Sequence, residues 1–161
     1  MTGEHAVVTY SAATADDIPA LARLRWAMEA ERHPERRETV SQDEYAAAYA
    51  AAVRADLERG THRAWIAWAD GEPVACVTLI WWAMPPTPAN LRRKRGFVSS
   101  VFTLPAYRRR GISRRLMELL IEGARGEGID RLVLWASDMG RPLYEGLGFE
   151  QCRGLEFNFG R

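Results

Sequence analysis

Cysteine is scarce in this chain: Cys76 and Cys152 are the only two in 161 residues. They lie far apart and in no metal-ligand spacing, which excludes a disulfide framework and makes reduced thiols in a cytoplasmic protein the default. The three histidines, His5, His33 and His62, are equally scattered and read as surface or capping residues, so no metal site is expected. Long apolar runs are also missing. The longest, VACVTLIWWAM at 74–84, is about half of what a membrane-spanning helix requires and reads as a buried strand. The opening MTGEHAVVTY has no basic segment followed by an apolar one, so no secretory signal is expected. Nor is there an excess of one charge. A formal net charge of +1 speaks against a dedicated nucleic-acid binder, and no membrane partner is expected.

What remains is a globular composition, 47% hydrophobic, at a length that suits one domain over residues 1–161. The charge is unevenly placed. Residues 1–60 hold eleven acids against seven arginines, whereas residues 91–115 hold nine Lys or Arg and no acid. A local anion site is therefore open.

Apolar periodicity divides the chain into elements. AVVTY (6–10) reads as a first strand, and TADDIPALARLRWAMEAE as a helix capped at Thr14 or Asp16. Ser41 with Glu44 makes a capping-box pattern in front of an Ala-rich helix that stops at Gly60. Two aromatic and β-branched runs flanking Asp70-Gly71 have the hairpin signature. The stretch 85–96, PPTPANLRRKRG, reads as a loop, FVSSVFTL as a strand ended by Pro105, and residues from Gly111 to Gly126 as an amphipathic helix. DRLVLWAS is a further strand, RPLYEGLGF a short helix, and GFEQCRGLEFNFG a last strand or hairpin arm. The fold expected is α/β: a mixed, mostly antiparallel central sheet with one parallel strand pair, flanked by about four helices.

The segment PAYRRRGISRRL, 105–116, packs five arginines around Gly111. A strand, a tight turn and a helix opening at glycine bring orphan N–H groups and the positive end of the helix dipole to one point. Glycine allows a phosphate close to the backbone, and arginine adds forked donors. A pyrophosphate would suit residues 109–114. The plainer alternative is a turn glycine followed by a solvated arginine face.

At this point the sequence resembles the GNAT-type N-acetyltransferase superfamily. Arg108-Arg109-Arg110-Gly111-Ile112-Ser113 is similar to its coenzyme A signature, with Ser113 where a small apolar residue is usual. VFTLPAY resembles the strand before that turn, and ASDMGRPLYEGLGF the family's C-terminal motif. The resemblance implies a splayed parallel strand pair, and transfer of an acetyl group from acetyl-CoA directly to an amine, with no metal. It places the pantetheine contacts on the backbone of Val101, Phe102 and Thr103. It places the pyrophosphate on Arg109, Arg110, Gly111, Ile112, Ser113 and Arg114, with Arg108 setting the turn. It implies Tyr144 as general acid for the departing thiolate, packing at a helix–strand junction being the alternative. Asp138 stands near the place where relatives often have an asparagine contacting pantetheine, with Ser137 the substitute for that contact. Many relatives have a carboxylate base on the strand before the turn, and FVSSVFTL has none. Glu29 and Glu31, near the end of the first helix, are the candidates, unless the amine arrives neutral. Trp26, Trp81 and Trp82 could line an acceptor pocket suited to a cationic or aromatic amine. The acceptor expected is a small-molecule amine; a protein N-terminus or lysine is the substrate alternative, and a non-catalytic acyl-CoA-binding module the functional one. A homodimer through the last strands is compatible with the resemblance.

Overall fold

The computed structural model describes residues 7–159. His5 and Ala6 lie outside them. Nine principal elements follow in order: β1 (Val8–Ala12), α1 (Ile18–Arg32), α2 (Gln42–Glu58), β2 (His62–Ala69), β3 (Glu72–Ala83), β4 (Lys94–Thr103), α3 (Ile112–Gly126), β5 (Arg131–Val133) and α4 (Arg141–Glu145). The sheet order is β1-β2-β3-β4-β5. Every pairing is antiparallel except β4 with β5, which is parallel. The mixed, mostly antiparallel sheet with one parallel pair and four helices is the architecture expected.

Local chemistry accounts for the elements. Before α1, the Asp17 carboxylate accepts from both N and Oγ1 of Thr14 at 2.8 and 3.0 Å. At α2 the capping box forms as its residues predict: Ser41 Oγ accepts from Glu44 N at 3.3 Å, and Glu44 Oε2 accepts from Ser41 N at 3.0 Å. The β2–β3 hairpin turns on Asp70 (φ 52°) and Gly71 (φ 80°), the left-handed pair that matches strand twist. β4 begins at Lys94 rather than at Phe97, because Lys94 and Arg95 pair with Ala83 and Trp82.

Two apolar clusters hold helices to opposite faces. On one, Ile112, Leu116, Met117, Leu120 and Ala124 of α3 pack on Trp65, Ala67, Val77, Leu79, Trp81 and Val98, with Tyr144 of α4 in the same cluster. On the other, Leu21, Leu24 and Met28 of α1 cover Ala64, Ile66, Cys76 and Phe102. Gly123 lets α3 approach the sheet closely, since a Cβ there would lie 2.5 Å from the Trp65 ring.

The expected last strand does not form. Residues 150–159 carry no strand, and Leu155, Phe157 and Phe159 are exposed. Alternation alone gives a strand half of what it needs; the other half is a neighbour's hydrogen-bonding edge. Cys152, expected in that strand, is exposed, whereas Cys76 is buried in β3. Among the described residues no helix is long and apolar enough to cross a membrane.

Candidate active site

β4 carries the feature that opens the site. Cys76 faces Phe102 across the ladder and Thr78 faces Ser99, so two steps along β3 correspond to three along β4. The extra residue is accommodated at Ser100, whose φ of 53° is left-handed without being glycine. Such a bulge reverses the side-chain alternation and bends the strand. Val98 and Phe102, an even number of residues apart, therefore pack on opposite faces of the sheet. Arg25 pins the bulge by donating from Nη1 to Ser99 Oγ at 3.1 Å and Ser100 Oγ at 3.0 Å. Parallel pairing with β5 ends at Phe97↔Val133. From Val98 to Thr103 the edge of β4 turned toward β5 has no ladder partner among the described residues, and a wedge opens between the two strands.

At the end of β4 the chain makes the turn singled out in the sequence. Arg109 (φ 62°) and Gly111 (φ 76°) are both left-handed around Arg110, an alternation that turns successive N–H groups to one side. The first bond of α3 runs from Arg115 N to Gly111 O at 3.1 Å, so the amides of Ile112, Ser113 and Arg114 have no partner within the helix. A Cβ built on Gly111 would meet no heavy atom within 4 Å. The space against the helix tip is open. A diphosphate fits this donor set: amides without a helical partner, a positive dipole end, and the exposed cations Arg109 and Arg114.

The other side chains of the turn are committed to holding it. Arg108 Nε donates to Thr103 O at 2.9 Å, and its Nη2 donates to both Glu31 oxygens at 2.8 and 2.6 Å. Arg108 thus ties strand, turn and the end of α1 together, and Glu31 is spent on that tie. Ser113 Oγ is 2.8 Å from Thr103 Oγ1, which gives the hydroxyl at this position a structural partner. Arg110 lies over the Tyr107 ring, 5.3 Å from its centroid.

The wedge leads into a cavity of about 360 Å³ lined by Phe97, Val98, Val101, Leu134, Trp135 and Tyr144 on the sheet side. Arg25, Glu29, Arg32, His33 and Arg36 line the helix side. Tyr144 is buried, which raises its hydroxyl pKa from the ordinary value of 10, while the charge of Arg32 acts in the lowering direction. Gly140 makes room for it, since a Cβ there would lie 2.9 Å from the Tyr144 ring. Glu29 lines the cavity with both oxygens engaged, Oε1 by Arg25 Nη2 at 2.9 Å and Oε2 by Arg36 Nη1 at 3.4 Å.

Of the residues expected from the sequence, the structure gathers Tyr144, Glu29 and Val101 at the cavity. Phe102 and Thr103 lie further along the wedge and 109–114 at its far end. Ser137 is in the loop before α4, where its Oγ accepts from Gly140 N at 3.2 Å, and Asp138 beside it is exposed. The tryptophans fall elsewhere. Trp26 lines a separate hollow of about 420 Å³ with Tyr45 and Trp68, Trp81 belongs to the α3-side core, and Trp82 is exposed with Nε1 donating to Met84 Sδ at 3.2 Å. The cavity takes Trp135 instead, tilted against Phe97 at 4.5 Å between centroids. The arginine wall was missed by the sequence reading, although the spacing of Arg25, Glu29 and Arg32 along one helix face signals it. Among the described residues no group of three His, Cys, Asp or Glu could hold a metal ion.

Comparison with known proteins agrees with this geometry. Residues 19–149 match the acetyltransferase (GNAT) family. The uncharacterized N-acetyltransferase YsnE of Bacillus subtilis (strain 168) is 29% identical over 93 residues, a match spanning 55% of this chain and 56% of that protein, so about half the length of that curated relative is matched. In fold, the chain is similar to a predicted acetyltransferase from Clostridium acetobutylicum, crystallised with acetyl-CoA, with a TM-score of 0.77, 24% identity, and 94% and 96% of the two chains covered. It is equally similar to a GCN5-related N-acetyltransferase from Ralstonia eutropha JMP134, with a TM-score of 0.77, 24% identity, and 95% and 99% covered. With the match running from α1 to the residue after α4's turn, the chain belongs to the GNAT acetyltransferase family.

Proposed function

We propose that the protein transfers an acetyl group from acetyl-CoA to the amine of a small molecule. The observation that carries this reading is the wedge beside β4, with an open helix tip at one end and Tyr144 in a cavity wall at the other. Acetyl-CoA supplies the acetyl group as a thioester. The amides of Ile112, Ser113 and Arg114, with Arg109 and Arg114, would hold its diphosphate. The β4 edge at Val101–Thr103, where Thr103 O is already held by Arg108 Nε, offers its remaining main-chain groups to an extended arm, as a neighbouring strand would. An amide fixed on that edge stabilises charge that develops on a carbonyl oxygen during attack.

Two protons have to move. Tyr144, kept protonated by burial, can deliver one to a departing thiolate. Removal of the other from the amine does not require a free carboxylate. The cavity wall holds three arginines against one glutamate, and surplus positive charge favours the neutral form of a nearby amine. Glu29, already shared by two guanidinium groups, is better suited to positioning them than to taking a proton.

The test is release of free thiol from acetyl-CoA in the presence of a panel of small amines, with the acetylated product identified by mass. Acetylation of at least one amine supports the reading. Coenzyme uptake in calorimetry without any acetylated product would favour an acyl-CoA-binding module, and no uptake would overturn both.

A further inference from the structure

The arginine wall states something about the acceptor. Arg25 is fixed: it donates to Ser99 and Ser100 and pairs with Glu29. Arg36 shares the same carboxylate at 3.4 Å and is otherwise exposed. Arg32, in the last turn of α1, makes no hydrogen bond or ion pair among the described residues, yet it lines the cavity and its charge is felt at Tyr144. His33 lines the same wall, 3.5 Å from Glu35 on its outer side. Three guanidinium groups therefore face one carboxylate, and the surplus sits on Arg32 and Arg36, both exposed at the rim of the cavity.

A simple cationic amine would meet this wall at a disadvantage. An amine that carries its own anion would not. The forked donors of arginine match a carboxylate or a phosphate, and such a group against Arg32 and Arg36 leaves the amine directed inward, toward Tyr144 and the bulged strand. We infer that the acceptor is a small zwitterion, an amine bearing a carboxylate or phosphate, whose anionic group is held by Arg32 with help from Arg36. This rests on the acetyltransferase reading and narrows its substrate. It also replaces the cationic or aromatic acceptor expected from Trp26, Trp81 and Trp82, because those rings lie outside the cavity and Glu29 and Glu31 are both consumed by arginines.

The plain alternative is that Arg32 serves only the negative end of the α1 dipole. An assay separates the two. The full chain is given acetyl-CoA with matched acceptors: L-amino acids against their carboxamides and decarboxylated amines, and phosphoethanolamine against ethanolamine. The anionic member of some pair should be acetylated with a kcat/KM at least tenfold higher, and whether that pair carries carboxylate or phosphate identifies the anion. Arg32→Gln should raise KM for that acceptor at least tenfold while leaving KM for acetyl-CoA unchanged, and Arg32→Lys should restore part of the loss. Preference for the uncharged or cationic members, or an Arg32→Gln enzyme with unaltered acceptor KM, overturns the inference and leaves acetyl transfer intact. If acetyl-CoA is bound but no member is acetylated, calorimetry of the same anionic amines on the coenzyme-loaded protein decides, and no uptake counts against it. Failure of acetyl-CoA itself to bind overturns the acetyltransferase reading, and this one with it.

Discussion

Replacement of Gly111 by alanine separates the cost of a conformation from the cost of a blocked site. At φ 76° an L-residue is strained by about 1–2 kcal/mol. The new methyl clashes with nothing, because no heavy atom lies within 4 Å of it. Strain alone should lower the melting temperature by about 2–4 °C for each kcal/mol in a chain of this size. The methyl also stands in the open space beside the amides of Ile112, Ser113 and Arg114. A hydrogen bond to a charged group contributes about 1.5–3 kcal/mol, so a diphosphate held off one or two of these amides should bind coenzyme A at least tenfold more weakly, each factor of ten being about 1.4 kcal/mol. Gly111→Asn is the control, since asparagine tolerates the left-handed region better than alanine but still adds a side chain. Calorimetry with coenzyme A and thermal melts on both variants give the answer. The expected outcome is that Gly111→Asn recovers stability and not affinity. If both variants melt early and bind coenzyme A as tightly as the parent, the helix tip is not the diphosphate site.

Three further outcomes are expected. Tyr144→Phe should lower kcat about 100-fold or more, the usual range for a lost general acid, with coenzyme A affinity unchanged. Because burial raises the Tyr144 pKa above 10, the alkaline fall in parent activity should lie above that value and vanish from the pH profile of the variant; equal kcat in the two enzymes removes Tyr144 from the chemistry. Gly123→Ala puts a methyl 2.5 Å from Trp65, and such overpacking should cost about 1–3 kcal/mol, read as an earlier denaturant midpoint with an unchanged slope. Finally, burial pushes Cys76 up from 9.0 to about 12 and raises Tyr49 and Tyr144 as well. The folded state keeps protons that the unfolded chain releases, so the stabilisation is complete below about pH 9 and is lost as pH rises toward 12; denaturant midpoints that stay flat between about pH 8 and pH 11 would contradict this linkage.

The features written in local chemistry are those the sequence makes legible. Ser41 with Glu44, Asp70-Gly71 and the glycine before Ile112 each solve a problem within a few residues of themselves, and each forms as its residues predict. Features that depend on a distant partner are less visible. GLEFNFG alternates like a strand, but nothing in those residues specifies which edge they would join, and among the described residues they join none. The three tryptophans proposed for the acceptor pocket are aromatic wherever they stand, and only the packing of α1 and β3 decides that Trp26 and Trp81 turn away from the cavity.

Ser100 shows why the centre of the site was the hardest part to read. A serine in a β-branched run has no signature of a left-handed residue, and Arg25 passes for a polar intrusion into the apolar stripe of α1. Only together do they make sense, the guanidinium holding Ser99 and Ser100 in the one place where β4 has a residue too many. That extra residue sends Phe102 under α1 and leaves Val98 under α3, so both apolar clusters depend on it. The added twist of a bulge also turns β4 away from β5 just beyond their last pair. The packing of the core and the opening of the wedge are consequences of one backbone irregularity. A sequence that keeps both clusters apolar therefore favours the bulge beside which the cavity opens, with Arg25 bound at its wall and Arg32 about two turns further along the same face of α1.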